Sequence, residues 1–494
     1  MRNHNYKSYL LVLLLVIYAF NWQDRIALGL VMQDIKSELS LSDTQLGLLT
    51  GIAFALFYSV MGIPLARWAD RGNRVALIAL TVALWSLMVA LCGMAESFMQ
   101  MLVIRVAVAV GEAGCMPAAQ SLIPDYFTRA ERPRAMSIFL LGGPLSFVTG
   151  SFLAGWLNEI YGWRTMFMVL GLPGLGLAAL AWLTLREPRK RIPGAYTIGR
   201  PPPFPRPQRA ALSVSLSLQE VCVKLWAIIT FRHMLFNFAI NAFFVGAIWQ
   251  WQPAFLIRSY GLKSGELGTW FTLIYGLGGL MGTYLGGYLA SRYASHNERL
   301  QLRMMTCVYV GQGVLASFMY LAQSPYVAFG LMGIVSIAGY AICPPQFAII
   351  QSLVPERMRA MSIALTYLCA NLIGLGLGPL AVGALSDAFR SWAGEESLRY
   401  ALLLLCPGYF WAGWHFWQGS KTVIADLAAA EAHGPAVILG SIVVEPSRNR
   451  LLKSNIPLNA DIEPDLQQER VERYDTSPRG PLLQGDTDTA RAKS

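Results

Sequence analysis

Long apolar runs constrain this chain more than any other feature of its sequence. A bilayer's hydrocarbon core of about 30 Å is crossed by about 20 apolar residues of helix. Marking runs of that length gives twelve, with approximate cores at 8–32, 45–66, 75–97, 99–122, 135–158, 165–185, 233–257, 267–290, 303–322, 325–350, 360–386 and 400–418. Helix is forced on them, because in hydrocarbon every backbone N–H and C=O must find a partner inside its own segment. The fold class is therefore an all-α membrane protein. Composition agrees, since only 14% of the 494 residues are charged and 55% are hydrophobic, against about 25% charged in a soluble domain. The first run is longer than a signal-peptide core and lacks a small-residue cleavage pattern, so it is expected to stay as the first span.

The net charge of +10 fits basic cytoplasmic loops better than a nucleic-acid footprint, and no nucleic-acid partner is expected. With the N-terminus placed inside, the inner loops carry 20 Lys and Arg against 6 in the outer loops (Lys36, Arg164, Arg258, Lys263, Arg390 and Arg399). Both termini should then face the cytoplasm, in a multi-pass protein of the cell (inner) membrane. None of the seven cysteines pairs at metal spacing, so neither a disulfide framework nor a metal site is indicated, and no cofactor is expected.

The apolar runs divide six and six. Residues 1–185 form an N-terminal bundle, and 186–232 a cytoplasmic linker with the extended stretch Arg200–Pro207 and a short amphipathic segment at 217–231. Residues 233–420 form a C-terminal bundle. The tail at 421–494 mixes charge, Pro, Gln and Ser and should be mostly disordered apart from the apolar patch Val437–Val444.

Internal repeats support two pseudo-symmetric halves. Leu41–Gly47 matches Leu262–Gly268, and at the same offset of 221 Ala66–Arg71 meets Gly287–Arg292. The pentapeptide Arg134–Ile138 recurs unchanged as Arg359–Ile363. Parallel repeats of this kind build transporters whose site lies at the membrane midplane between the halves.

The run Ala66-Arg67-Trp68-Ala69-Asp70-Arg71-Gly72-Asn73-Arg74 resembles the signature that proteins of the major facilitator superfamily carry between helices 2 and 3, with Ala66 in place of its usual first Gly. Gly162-Trp163-Arg164 before helix 6, Gly143-Pro144 in helix 5 and Gly378-Pro379 in helix 11 agree with that family. Within it, Asn21-Trp22-Gln23-Asp24-Arg25, Arg105 with Gly111-Glu112-Ala113, and Pro253…Arg258…Gly261-Leu262 resemble the Spinster family, whose animal members export lysophospholipids or sphingosine-phosphate. The resemblance covers about residues 5–420. It implies a twelve-helix carrier working by alternating access, with Asp70, Arg71 and Arg74 at an inner gate.

Charge inside the spans points to the site. Asp24, Arg25 and Arg105 fall at one depth, about 10 Å below the outer surface, and Glu112 lies about 10 Å deeper on the face of Arg105. An ionised side chain there costs at least about 2.5–3.5 kcal/mol, so these groups should face a wet cavity or one another. A static Asp24–Arg105 or Asp24–Arg25 pair that only locks helices 1 and 4 is the plainer alternative. Glu112 has no basic residue one turn away, which makes it the leading proton carrier, with Asp24 beside it. Arg25 and Arg105 are candidates for an anionic head group.

The cores of helices 7 to 12 hold no charged residue. They offer Asn237, Asn241, Trp249, Gln250, Tyr340, Tyr367 and Asn371 as substrate contacts, although amides also glue helices and Trp often anchors at an interface. Helix 11 begins near Arg359, and its N-terminus could attract Asp70 across the halves. Glycines crowd helix 8 from Gly276 to Gly287, as close helix packing requires, with no phosphate loop beside them.

The expected function is a secondary active transporter, probing as a monomer for an amphiphilic or lipid-like substrate among membrane lipids and coupled to protons. Alternatives are an organic-anion or multidrug carrier and, in another class, a membrane ligand sensor. An enzyme is not expected, since no nucleophile–base or metal-ligand spacing appears and His4, His233, His296, His415 and His433 are scattered.

Overall fold

The computed structural model describes residues 2–128, 131–188, 218–294, 297–355, 358–432, 437–439 and 442–444, with a few side chains, Asp70 among them, outside that description. Residues Met1–Gly434 form one unit and Pro435–Ser494 another. In the second, Val437–Leu439 pairs antiparallel with Ile442–Val444, on the apolar patch of the tail. Most of the sequence-derived linker, 189–217, lies outside the described residues.

Nine stretches among the described residues are long and apolar enough to cross a membrane. Two of these hold a pair of helices each. Arg134–Thr184 contains helices 5 and 6, which part at Gly162, where φ is +79°, a value only glycine adopts without strain. Met361–Ala430 contains helices 11 and 12. Helix 8, at 264–293, is interrupted by a π-helical segment and rich in glycine, and completes the twelve.

Helices outrun the apolar cores, because polar ends continue the backbone ladder beyond the hydrocarbon. Helix 1 runs from Arg2 to Leu39. Asp24 lies fifteen residues before its end (24 to 39), about 22 Å at 1.5 Å per residue, and the last seven of those residues (32 to 39) run beyond the apolar core. Helix 12 also runs longer than expected. The expected tail from 421 begins as helix, since Pro407–Ala432 is continuous. Val423 is fully buried, and Asp426 Oδ2 accepts from the Thr230 N–H at 2.8 Å where helix 7 begins. In the linker region Leu218–Ala227 is helical, burying Val221 and Leu225 and exposing Val223 and Trp226.

Six helices are interrupted in mid-course, helix 4 at 113–114 and helix 12 at Cys406 among them. Helix 2 is cut at Gly51 into Asp43–Thr50 and Ile52–Arg71, and helix 5 at Leu141. Helices 8 and 11 carry π-helical segments, Thr272–Leu277 and Ala370–Leu377. Helix 2 lies against helix 11, and helix 5 against helix 8, across the two halves. The approach is close: a Cβ on Gly47 would lie 2.5 Å from Pro379 O.

Candidate functional site

Polar contacts between the halves gather at the end of the bundle that bears the Ser40 turn. Helix 2 starts there with a capping box, Ser42 Oγ accepting from Gln45 N and Gln45 Oε1 from Ser42 N. The next N–H groups of that first turn, Asp43 and Thr44, donate to the carboxylate of Asp387 on helix 11 at 3.1 and 2.8 Å. Fully buried Asp43 accepts both Arg258 Nη1 and Nη2, at 2.7 and 2.6 Å, and also Lys36 Nζ and Ser386 Oγ. A second seam joins helix 5 to helix 8 through Asn158 to Ser264 Oγ at 3.0 Å and Glu159 to the Gly265 N–H at 2.9 Å. A buried, bidentate Arg–carboxylate pair with every remaining lone pair served is the geometry in which a buried ion pair holds.

Deeper, helices 1 and 4 bring two acids and two bases together. Arg105 Nη1 donates to Asp24 Oδ2 at 2.8 Å, both nearly fully buried. Arg25 Nε donates to Glu112 Oε2 at 2.9 Å, and its Nη2 to the same oxygen. Glu112 therefore has a basic partner, contrary to the sequence expectation. Arg25 is rotated about 100° around helix 1 from Asp24, and its long side chain reaches the turn or two that the spacing argument placed between them. The guanidinium of Arg25 is stacked against Trp22, Phe54 and Tyr58, at 4.8, 4.4 and 4.9 Å from their ring centroids.

The four charges cancel, but their hydrogen bonding is incomplete. Asp24 Oδ1, Glu112 Oε1 and Arg105 Nε are buried and find no partner among the described residues. The two carboxyl groups lie close enough to influence each other.

One small cavity is lined by two members of the cluster, and a larger one adjoins it through Trp22, Gly246 and Trp249. The small one, of about 40 Å³, is walled by Arg25, Arg105 and Phe54 from the first half and by Gly246, Trp249 and Gln250 from the second. The larger one, of about 480 Å³, lies between the halves, with Tyr18, Trp22 and Phe147 on one side and Asn241, Trp249 and Tyr340 on the other. Its lining is mostly apolar, and no Asp, Glu, Lys or Arg belongs to it among the described residues.

The expected second-half contacts thus divide. Asn241, Trp249 and Tyr340 line the large cavity, and Gln250 the small one. Asn237 is fully buried as helix glue, donating to Ala412 O and accepting from Gln346, each at 2.9 Å. Tyr367 stacks on Phe347, and Asn371 lies in the π-helical segment of helix 11; neither lines a cavity described here. Of the inner-gate residues, Arg71 is exposed. Arg74 is a brace inside the first half, bonded to Glu187 and Ser121 O and paired with Asp125, so it does not span the halves. The Asp70 side chain lies outside the described residues. The sequence reading missed Tyr18 and Trp22, which share the helical face of Arg25 at i, i+4 and i+7 spacing and were legible on that ground. It also missed Asp43 and Asp387, whose partners across the halves lie more than 200 residues away in the chain.

Two six-helix halves, broken helices at their contact and a cavity between them describe a carrier, and comparison with known proteins agrees. The profile of the Major Facilitator Superfamily matches residues 14–379. The chain belongs to that superfamily. An MFS-type efflux pump of Mycolicibacterium smegmatis is 30% identical over 79% of this chain and 87% of its own length. Protein spinster homolog 1 of Rattus norvegicus is 27% identical over 81% of this chain and 78% of its own. Among solved structures, an inward-facing, unoccupied bacterial homologue of the human lysosomal transporter Spinster is 31% identical, covers 85% of this chain and 98% of its own, and superposes with a TM-score of 0.73. The chain is a Spinster-like membrane transporter of this superfamily, and a carrier rather than an enzyme.

Proposed function

We propose that this transporter moves an anionic amphiphile across the cell (inner) membrane by alternating access, driven by protons, as a monomer with both termini in the cytoplasm. The observation that carries this reading is the neutral quartet of Asp24, Arg25, Arg105 and Glu112, two of whose members, Arg25 and Arg105, line a small cavity that shares Trp22, Gly246 and Trp249 with a larger apolar one. A single proton taken up by this pair of neighbouring carboxyl groups gives a donor to Asp24 Oδ1 or Glu112 Oε1, both of which lack one. It also leaves the two guanidinium groups one charge in excess, and that excess draws an anionic head group toward Arg105 while the chain lies in the apolar cavity. The clasp around Asp43 and Arg258, at the end assigned to the outside by the loop charges, supports a state open to the cytoplasm.

Purified protein in liposomes tests this with a fluorescent single-chain phosphate amphiphile. A pH gradient should drive uptake by the wild type. Glu112→Gln should lose gradient-driven flux and keep exchange, because a neutral amide imitates the protonated carboxyl; Asp24→Asn should impair coupling as well. Unchanged proton-driven flux in both variants sinks the proton assignment. Binding confined to cationic amphiphiles sinks the anionic head group.

A further inference from the structure

The second-half wall of the large cavity holds a buried polar atom that the protein leaves unserved. Gln312, on helix 9 (Glu298–Leu321), lines the cavity and is 4% exposed. Its Nε2 donates to Val335 O on helix 10 at 2.9 Å. A carbonyl can only accept, so this bond fixes which way the amide is turned and commits Oε1 to the acceptor role. Gly339 closes the amino side, since a Cβ there would stand 3.0 Å from Nε2. Oε1 itself accepts no hydrogen bond among the described residues.

From this geometry we infer a hydrogen-bonding subsite at Gln312 that selects substrates carrying a hydroxyl group. A buried acceptor without a donor is a standing cost that a substrate removes by donating to it. An ammonium group is the wrong donor, because no carboxylate lines the cavity among the described residues and the cation would be buried without a counter-charge. The oxygen sits behind the cavity surface, so a donor reaches it only when the amide or a neighbour shifts, and a hydroxyl, the smallest neutral donor, needs the least shift. The subsite rests on the anionic-amphiphile reading above, and adds to it a neutral donor on the substrate, read by a cavity wall that holds no charge among the described residues.

Thermal stabilisation of the full-length protein measures this with dodecyl phosphate and with dodecyl phosphates bearing one hydroxyl at successive carbons. At one position or more the hydroxyl should tighten binding by about tenfold, the worth of one buried hydrogen bond. Gln312→Met should erase that gain while leaving dodecyl phosphate bound within about twofold. The ratio of two ligands on one protein is the readout, so a variant of lower stability still reports. If Gln312→Met does not fold, Gly339→Ala, which presses on the amide from its amino side, should shrink the same ratio. Dodecyl phosphate binding with no gain from any hydroxyl overturns the subsite and leaves the proposed function standing, the oxygen then being served by water. A gain that survives Gln312→Met also overturns it. Failure of every phosphate to bind overturns the anionic-amphiphile reading and the subsite with it.

Discussion

Arg105 reaches Asp24 through one guanidinium nitrogen, and its Nε has no hydrogen-bond partner among the described residues. A purely structural ion pair gains from saturating its donors, whereas this one keeps a donor in reserve beside the small cavity that Arg105 helps to line. Lysine retains the charge yet cannot offer the planar fork that takes two oxygens of a phosphate. Arg105→Lys should therefore fold and lower affinity for a phosphate amphiphile by about tenfold or more, the scale of one charge-assisted hydrogen bond. Titration of the purified variant checks this. Equal affinity makes Arg105 a partner of Asp24 alone.

At the scale of elements, helix 2 is the part whose packing crosses the boundary between repeats. Its short outer segment, Asp43–Thr50, belongs in sequence to the first half and lies against helix 11 of the second. Small residues allow that approach, and the Asp387 carboxylate at the start of the segment adds a favourable charge at the helix N-terminus. Gly47→Ala should weaken the closed outer end, because its Cβ meets backbone that cannot step aside. Arg258→Met should do the same by leaving buried Asp43 with only Lys36 and Ser386, at a cost below the roughly 3–5 kcal/mol of stripping a buried charge of its one partner. Cys343 lines the cavity and supplies the measurement. In a background keeping that cysteine alone, both variants should raise its reaction with an impermeant reagent added from outside, and an unchanged rate in both removes the clasp from the gate.

The whole molecule has a sidedness that loop charge assigns, with 20 Lys and Arg against 6. Cysteines placed at Gly72 and Gln208 in a cysteine-free background should react with an impermeant reagent only from the cytoplasmic side. Labelling of either from outside in intact cells reverses the orientation, and with it the reading of Asp43 and Arg258 as an outer clasp.

Sequence alone determined the number of spans, the six-and-six division and the presence of costly charges in helices 1 and 4. Each is a local property: an apolar run of fixed length, a repeat, or an ionisable residue where hydrocarbon penalises it. Helix length followed less well, because helix 1 continues seven residues past its apolar core, from 32 to 39, through turns too polar for hydropathy to mark. Pairing was decided by tertiary structure. Whether Glu112 meets Arg25, whether Asn237 lines a cavity or ties helix 7 to helix 12, and whether Arg258 finds Asp43 all depend on how helices far apart in the chain are rotated against each other. Hydropathy says little about that rotation inside a bundle, since lipid-facing and helix-facing residues are alike apolar, and packing of small residues and polar contacts sets it instead.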